Sequence, residues 1–179
     1  WNFENQNYAE KIWHPKTAPE RVGDGFRFGE GRYFGSPLRK TAVPETMKTP
    51  YSLFVEFTPE AAPDGYMSGI VQMCHYLKCG FRIVLHKDLR INVEIFPGDG
   101  RKVCYLRSKS PLTLGRRTSC ELKFDGKKAI LLVNGKLDTI LDCPFPKEFS
   151  GDIMFGNASG QAYHFNGKIH SVAIRKQNP

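Results

Sequence analysis

Three glutamates lie in the middle of apolar, strand-like segments, where the backbone would hold a carboxylate in a fixed direction. They are Glu56, Glu94 and Glu121. Hydrolysis of a glycosidic bond needs a facing pair of carboxyl groups, because one protonates the leaving oxygen while the other attacks the sugar or activates water. None of the three has a second carboxylate two or four residues away on its own strand. A hydrolase would therefore need two of them to converge from neighbouring strands.

A second candidate chemistry is proton abstraction from an acidic sugar. The segment Tyr76-Leu77-Lys78-Cys79-Gly80 resembles the Tyr-x-Lys-x-Gly strand of jelly-roll alginate lyases. A lyase needs a Tyr or His to carry protons, and an Arg or an amide to neutralise the uronate carboxylate. Gln72, His75, Tyr76 and Arg82 supply such groups, but the other lyase motifs are absent in order and spacing. Lyase activity stays an alternative.

The sequence does not contain the spacing of a transition-metal site. The five histidines include no H-x-x-x-H or H-E-x-x-H pattern, and the five cysteines include no C-x-x-C. The loop carboxylates Asp64, Asp99, Asp138 and Asp152 form no recognisable series of calcium ligands by themselves. Since Cys104 and Cys120 occupy core-facing strand positions, we expect mostly buried thiols, with at most one disulfide.

The chain is basic, and this bears on its partners. A formal net charge of +8 and a pI near 9.3 attract polyanions. The Lys and Arg residues are scattered in short pairs, and no basic helix or nucleic-acid-binding motif occurs, so we expect no nucleic acid. An acidic polysaccharide is the favoured partner, and an ordinary solvated surface is the alternative. No apolar run approaches the roughly 18 residues needed to cross a bilayer, so we expect no membrane insertion.

Short strands separated by turn residues recur along the sequence. Asp125-Gly126 and Asn134-Gly135 flank the apolar run 128–133, and both dipeptides favour type I′ hairpin turns. They predict three consecutive antiparallel strands between Ser119 and Leu141. Further strands are predicted at 52–58, 69–73, 81–86, 90–96, 102–107, 152–156 and 167–175. Only 46–48 and 144–149 are candidates for a helical turn.

About a dozen such strands predict an all-β, two-sheet antiparallel β-sandwich of the jelly-roll type. No boundary or linker divides the sequence, so residues 1–179 are predicted to form a single domain. Because the chain begins at Trp1 without a leader, we expect it to be excised or processed from a longer protein.

Four segments resemble the laminin-G-like and concanavalin-A-like lectin/glucanase superfamily. They are the aromatic opening 1–4, the strand 24–29, the hairpin from Phe124-Asp125-Gly126 to Val133-Asn134-Gly135, and the closing pattern formed by 153–156, 165–169 and 172–174. The resemblance spans nearly the whole chain. It implies a jelly-roll fold, and a function among lectins, adhesion modules and glycosidases, some of which bind calcium. The superfamily's glucanases carry an E-x-D-x-x-E type of run, which is absent here.

Strand alternation predicts which side chains point away from the core. Phe81, Ile83, Leu85 and their equivalents in the next strands are apolar and should point inward. If the strands are neighbours, the opposite face carries polar groups able to bind sugar hydroxyls or carboxylates, with an aromatic ring for the apolar side of a sugar. The predicted binding residues are Arg82, Asn92, Glu94, Tyr105 and Arg107, with His75 and Tyr76 at the edge; Glu121 and Lys123 of the next strand are expected on the same face.

The sequence therefore favours a non-catalytic, lectin-like carbohydrate-binding module, extracellular or at the cell surface, with an acidic polysaccharide as ligand. Two alternatives stay open. One is a glycan-cleaving enzyme of the same fold, either a hydrolase or a lyase. The other is an adhesion module that binds a protein partner, which would show an exposed apolar patch.

Overall fold

The computed structural model describes residues 19–29, 34–36, 51–74, 79–98, 100, 102–144, 146, 153–158 and 163–176. Regular structure in these residues is entirely β. The fifteen strands are β1 (Glu20–Val22), β2 (Gly25–Phe28), β3 (Phe34–Ser36), β4 (Tyr51–Pro59), β5 (Met67–Cys74), β6 (Gly80–His86), β7 (Ile91–Phe96), β8 (Cys104–Arg107), β9 (Thr118–Phe124), β10 (Lys128–Val133), β11 (Lys136–Asp142), β12 (Ile153–Phe155), β13 (Asn157–Ala158), β14 (Tyr163–His164) and β15 (Gly167–Lys176).

The strands form two large sheets. One has seven strands in the order β1-β2-β15-β4-β9-β10-β11, and the other has six in the order β3-β12-β5-β6-β7-β8. In both sheets each pair of neighbouring strands is antiparallel. A small third sheet consists of β13 and β14. The predicted two-sheet antiparallel sandwich is confirmed.

The core lies between the facing sides of the two sheets. Leu53, Val55 and Phe57 of β4 are fully buried, as are Ile83 of β6 and Val93 of β7, and all belong to one apolar cluster. Alternation therefore predicted the inward faces of β6 and β7 correctly. Burying one such side chain contributes about 1.5–3 kcal/mol, so this cluster is the main source of stability for the sandwich.

The two predicted hairpin turns differ in detail. Asn134 and Gly135 have φ values of 51° and 74°, as the type I′ prediction requires. Asp125 does not have a positive φ, and the connection between β9 and β10 is longer than two residues. The Asp125 carboxylate there accepts bonds from the Lys127 and Lys128 N–H groups at 2.9 and 2.7 Å. The type I′ prediction was wrong at this turn, because the aspartate side chain closes it instead.

One predicted neighbour of the polar strands belongs to the other sheet. The connection 108–117 carries the chain from β8 across to β9, which pairs with β4 through partners such as Leu53 and Leu122. Glu121 and Lys123 therefore do not share a face with Arg82. Their expected place beside it was wrong. The predicted opening strand at 1–4 and the helical turn at 46–48 lie outside the described residues, as does most of 144–149.

All five cysteines are free thiols. Cys120 is fully buried in β9, and burial raises the pKa of its thiol to about 12. Cys104 is partly buried and packs against the core. These thiols behave as small apolar side chains rather than as nucleophiles. Within the described part of the chain, no helix is long and apolar enough to span a membrane.

Candidate functional site

The register of the six-stranded sheet brings the predicted binding residues together on its outer side. Arg82 of β6 lies opposite Glu94 of β7, and Glu94 lies opposite Tyr105 of β8. In the next row Asn92 lies opposite Arg107. These five residues are called the polar face below. Antiparallel neighbours are about 5 Å apart, so their side chains form one continuous surface.

The floor of the polar face is a buried ion pair. Arg82 and Glu94 are each 6% exposed, and the Arg82 Nε and Nη2 atoms both lie 2.7 Å from Glu94 Oε2. Asn92 donates to the other carboxylate oxygen, Oε1, at 3.3 Å. The Arg82 guanidinium also lies 5.8 Å from the centre of the Phe96 ring. This network fixes three polar side chains in one geometry.

The exposed part of the polar face lies on β8, the edge strand. Tyr105 is 58% exposed and stands beside the Glu94 carboxylate. Arg107 extends toward the turn after β6, where its Nη2 atom lies 2.5 Å from Asp88 Oδ2. Partial burial acts to raise the pKa of Asp88, but hydrogen bonds from Arg107 and from the Arg90 N–H outweigh it, so this pKa is lowered. A ligand on this face would meet an aromatic ring and a guanidinium side by side.

A group of aromatic rings forms the opposite side of this surface. Tyr66, just before β5, is 55% exposed and contacts Tyr163 and His86 edge-on at centroid distances of 5.1 and 6.2 Å. The pKa of Tyr66 is raised, mainly because its side chain is hydrogen-bonded with Tyr163 and secondarily because it is partly buried. The pKa of His86 is lowered, mainly because the ring is partly buried and secondarily because the positive charge of Arg107 is close. Tyr66 lies three strand spacings, about 14 Å, across the sheet from Tyr105 and also about five residues, or about 16 Å, along the strands, so the two rings are about 20 Å apart.

The strands β13 and β14 cover the part of this sheet next to Tyr66. Ala158 and Tyr163 pack against Met67 and Val84 in a small apolar cluster. This approach needs a glycine at position 69, because a Cβ there would lie 2.2 Å from the Ala158 backbone nitrogen. The cover turns an open sheet face into a surface with a wall on one side.

The structure thus places five of the seven predicted binding residues. Arg82, Asn92 and Glu94 are buried in the floor, while Tyr105 and Arg107 are exposed; His75 and Tyr76 lie outside the described residues. Sequence reasoning missed Tyr66, which lies in a bend before β5, and Tyr163, which lies in the two-residue strand β14; neither segment is long enough to show a periodic pattern. The only signal for Tyr66 was its position directly after the turn at Asp64-Gly65.

The isolated glutamates of the hydrolase alternative are each bound to a cation. Glu56 and Glu121 lie on the neighbouring strands β4 and β9, on the sheet opposite Glu94. Arg117 donates to Glu56 at 2.7 Å, and Lys123 lies 3.6 Å from Glu121. Both carboxylates lie on the outer side of that sheet, and each has a cation beside it.

One further cluster has the chemical types of a nucleophile, a base and an acid. His170 Nε2 lies 2.9 Å from Thr58 Oγ1, and its Nδ1 lies 3.3 Å from Asp24 Oδ1. Arg117 bridges Asp24 and Glu56. Thr58 and His170 are only 9% and 3% exposed, so a substrate has no direct approach to the hydroxyl. The cluster fastens the β1–β2 turn to the sheet.

No group of three or more His, Cys, Asp or Glu side chains suited to a metal ion is found among the described residues. Of the four loop carboxylates considered for calcium, Asp99 and Asp152 are outside those residues. Asp138 accepts bonds from the Lys109 N–H and the Thr139 hydroxyl. Calcium binding stays a prediction.

The two-sheet sandwich is similar to several solved structures. A structure of mouse laminin α1 chain domains LG4-5 has a TM-score of 0.67 at 13% identity, with 92% of this chain covered and 45% of that one. The binding domain of botulinum neurotoxin DC in complex with rat synaptotagmin II has a TM-score of 0.71 at 11% identity, with 94% and 43% covered. This chain therefore has the laminin-G-like, concanavalin-A-like jelly-roll fold.

A third structure matches this jelly roll over nearly its whole length. The Ruminococcus gnavus IT-sialidase CBM40, bound to α2,3 sialyllactose, has a TM-score of 0.61 at 19% identity, with 90% of each chain covered. The chain spans less than half of the laminin and toxin structures. No protein-family model matches the sequence, and no curated protein matches it. At these identities the likeness concerns the fold.

Proposed function

We propose that this jelly-roll domain is a non-catalytic carbohydrate-binding module that holds an acidic glycan on its polar face. The observation that carries the proposal is the side-by-side position of exposed Tyr105 and Arg107 over the buried Arg82–Glu94–Asn92 network. Sugar sites combine an aromatic ring for the apolar side of the sugar with fixed polar groups for its hydroxyls. Both parts are present here.

Acidic sugars are the proposed ligands because the solvent-exposed charged group of the polar face is the Arg107 guanidinium. A planar guanidinium binds a carboxylate through two parallel hydrogen bonds, and Arg107 has a single carboxylate partner in Asp88 within the part of the chain described. A ligand carboxylate would share Arg107 with Asp88. The net charge of +8 adds long-range attraction for such ligands.

Two of the structural neighbours support this proposal through the ligands bound to them. The CBM40 structure contains α2,3 sialyllactose, and another botulinum toxin binding-domain structure contains SialylT. Laminin and toxin neighbours also support a location outside the cell or at its surface. A module of this kind would direct a longer protein to its glycan.

The proposal is tested with a glycan array that includes sialylated, uronate-containing and sulfated glycans, at two salt concentrations, followed by a product assay on each hit. We expect saturable binding without cleavage, weakened by salt because a charged pair contributes. Arg107→Ala should weaken binding about 10- to 100-fold, the loss of one charged hydrogen-bonding group. Leu137→Ala, on the opposite sheet, is the matched control. Cleavage of the bound glycan would replace this proposal with the enzyme alternative.

A protein partner is the second candidate, and one observation favours it. Leu137 and Ile140 on the edge strand β11 are 59% and 49% exposed, and they lie opposite Leu132 and Ile130 on β10. Exposed apolar side chains on a sheet edge are typical of contact sites for other proteins. Binding to an extracellular protein that Ile140→Lys abolishes, together with no hit on the glycan array, would favour this function.

A further inference from the structure

A pocket opens at one end of the seven-stranded sheet, away from the polar face. It lies where β1, β2 and β15 meet the residues that follow β4, and its volume is about 440 Å³. Small-molecule sites usually have volumes of about 300–1,000 Å³ and a few converging polar groups. The polar lining includes Glu20, Arg27, Glu60 and Asn166. This is the size of a site for one sugar ring.

The backbone holds the pocket walls in place. Glu60 and Ala61 both donate their N–H groups to the Asn166 carbonyl, at 3.0 and 3.3 Å. Gly29 forms part of the lining with a φ of 148°, and a Cβ at this position would lie 3.1 Å from Asn166 Oδ1. A glycine at 29 therefore keeps a side chain away from the Asn166 amide. Backbone hydrogen bonds and the close approach at Gly29 therefore define the shape of the pocket.

Among the described residues that line or adjoin the pocket, carboxylates and cations are equal in number. Arg27 donates to both Glu60 oxygens at 3.1 and 3.3 Å, and Lys168 lies 3.6 Å from the same carboxylate. The two carboxylates are those of Glu20 and Glu60, and the two cations are Arg27 and Lys168. Arg27 uses both Nε and Nη2 on Glu60, whereas Arg107 of the polar face contacts Asp88 through Nη2 alone. A ligand carboxylate in the pocket would therefore have to disrupt the Arg27 ion pair. Hydroxyl groups, which both donate and accept, can bond to the carboxylates, the guanidinium and the amide without disturbing them.

We propose that this pocket is a second binding site, specific for one uncharged, polyhydroxylated sugar ring. It differs from the polar face in place and in ligand class, and it does not depend on the proposed function. Two sites on opposite sheets would let one domain hold two sugars at the same time, for example in different branches or chains of a glycan.

The test is amide-resolved NMR of the ¹⁵N-labelled domain titrated with the methyl glycosides of glucose, galactose and mannose, and separately with the matching uronic acids. We expect at least one neutral glycoside to shift the amides of residues 27–29, 60–61 and 166–167. The uronic acids should shift these amides less than the neutral sugars do. The amides of Glu94, Tyr105 and Arg107 report on the polar face in the same spectra.

Ala61→Trp is the blocking variant, because Ala61 is exposed at the pocket and a larger side chain there fills it without entering the core. It should weaken neutral-sugar binding at least tenfold. Leu137→Trp, equally exposed on β11, is the matched control and should leave binding unchanged. Arg107→Ala should also leave it unchanged, which separates this site from the polar face.

Three results would overturn the proposal. The first is the absence of any shift at these amides with all three neutral glycosides. The second is stronger binding of the uronic acids, which would contradict the ligand class. The third is unchanged binding in Ala61→Trp, which would place the sugar elsewhere.

Discussion

Removing the Glu94 carboxylate should be one of the most destabilising single changes on the outer side of either sheet. Arg82 and Glu94 are each 6% exposed, and two guanidinium nitrogens lie 2.7 Å from one carboxylate oxygen. Breaking a buried pair costs about 3–5 kcal/mol, because the remaining charge stays in a poorly solvated place. For a chain of this size, 1 kcal/mol moves Tm by about 2–4 °C, so Glu94→Ala should lower Tm by about 6–20 °C.

The matched control is the double variant Arg82→Met/Glu94→Leu, which removes both charges and keeps similar volume. Replacing a buried pair by apolar residues is often neutral or stabilising. Asn92 then loses its carboxylate acceptor, at a cost of about 1–3 kcal/mol. We expect the double variant to lie within about 2 kcal/mol of the native free energy of unfolding. Urea denaturation of wild type, Arg82→Met, Glu94→Leu and the double variant gives the coupling energy directly.

Two results would refute this reasoning. If Glu94→Ala costs less than about 1 kcal/mol, the pair is hydrated in solution and behaves like a surface ion pair. If the double variant is destabilised by the sum of the two single changes, the two charges do not interact. Either result would also show that the Arg82–Glu94–Asn92 network does not hold the floor of the polar face in one geometry.

Two other changes test the surroundings of the polar face. Gly69→Val should destabilise the domain by several kcal/mol, because the new Cβ would collide with the backbone at Ala158. Urea denaturation measures the free energy of unfolding, and an unchanged value would show that β13 does not cross the sheet at this position. Since the folded-state pKa of His86 is lowered, the stability it contributes is present above its unfolded pKa of about 6.5 and is lost as pH falls toward the folded value. Thermal unfolding between pH 8 and 5 should show this loss in the native protein and not in His86→Gln, and equal pH profiles for the two proteins would contradict it.

The fold was predictable because it depends on local signals. Alternating apolar residues in β6 and β7 fixed their inward faces, and Asn134-Gly135 fixed a hairpin through its φ requirement. Neither signal specifies which sheet a strand joins. The sequence 118–124 has the same alternation whether it pairs with β8 or with β4, so only the tertiary structure places it next to β4.

The candidate site was predictable in composition but not in exposure. The outward direction of Arg82, Asn92 and Glu94 follows from strand periodicity, whereas their burial depends on what packs over the sheet. The crossing of β13 over the same sheet at Gly69 of β5 is equally hidden, because a single glycine in a strand does not reveal its partner. Contacts between distant segments of this kind have no local sequence signature.

The central claim is that the polar face binds an acidic glycan, and calorimetric titration of the strongest array ligand tests it most directly. Wild type, Tyr105→Ala, Arg107→Ala and the control Leu137→Ala are titrated at the same salt concentration. We predict that the control keeps wild-type affinity while each polar-face variant loses about tenfold or more, without a change in Tm that would indicate unfolding. Full affinity in both Tyr105→Ala and Arg107→Ala would show that the glycan binds elsewhere and would contradict the claim.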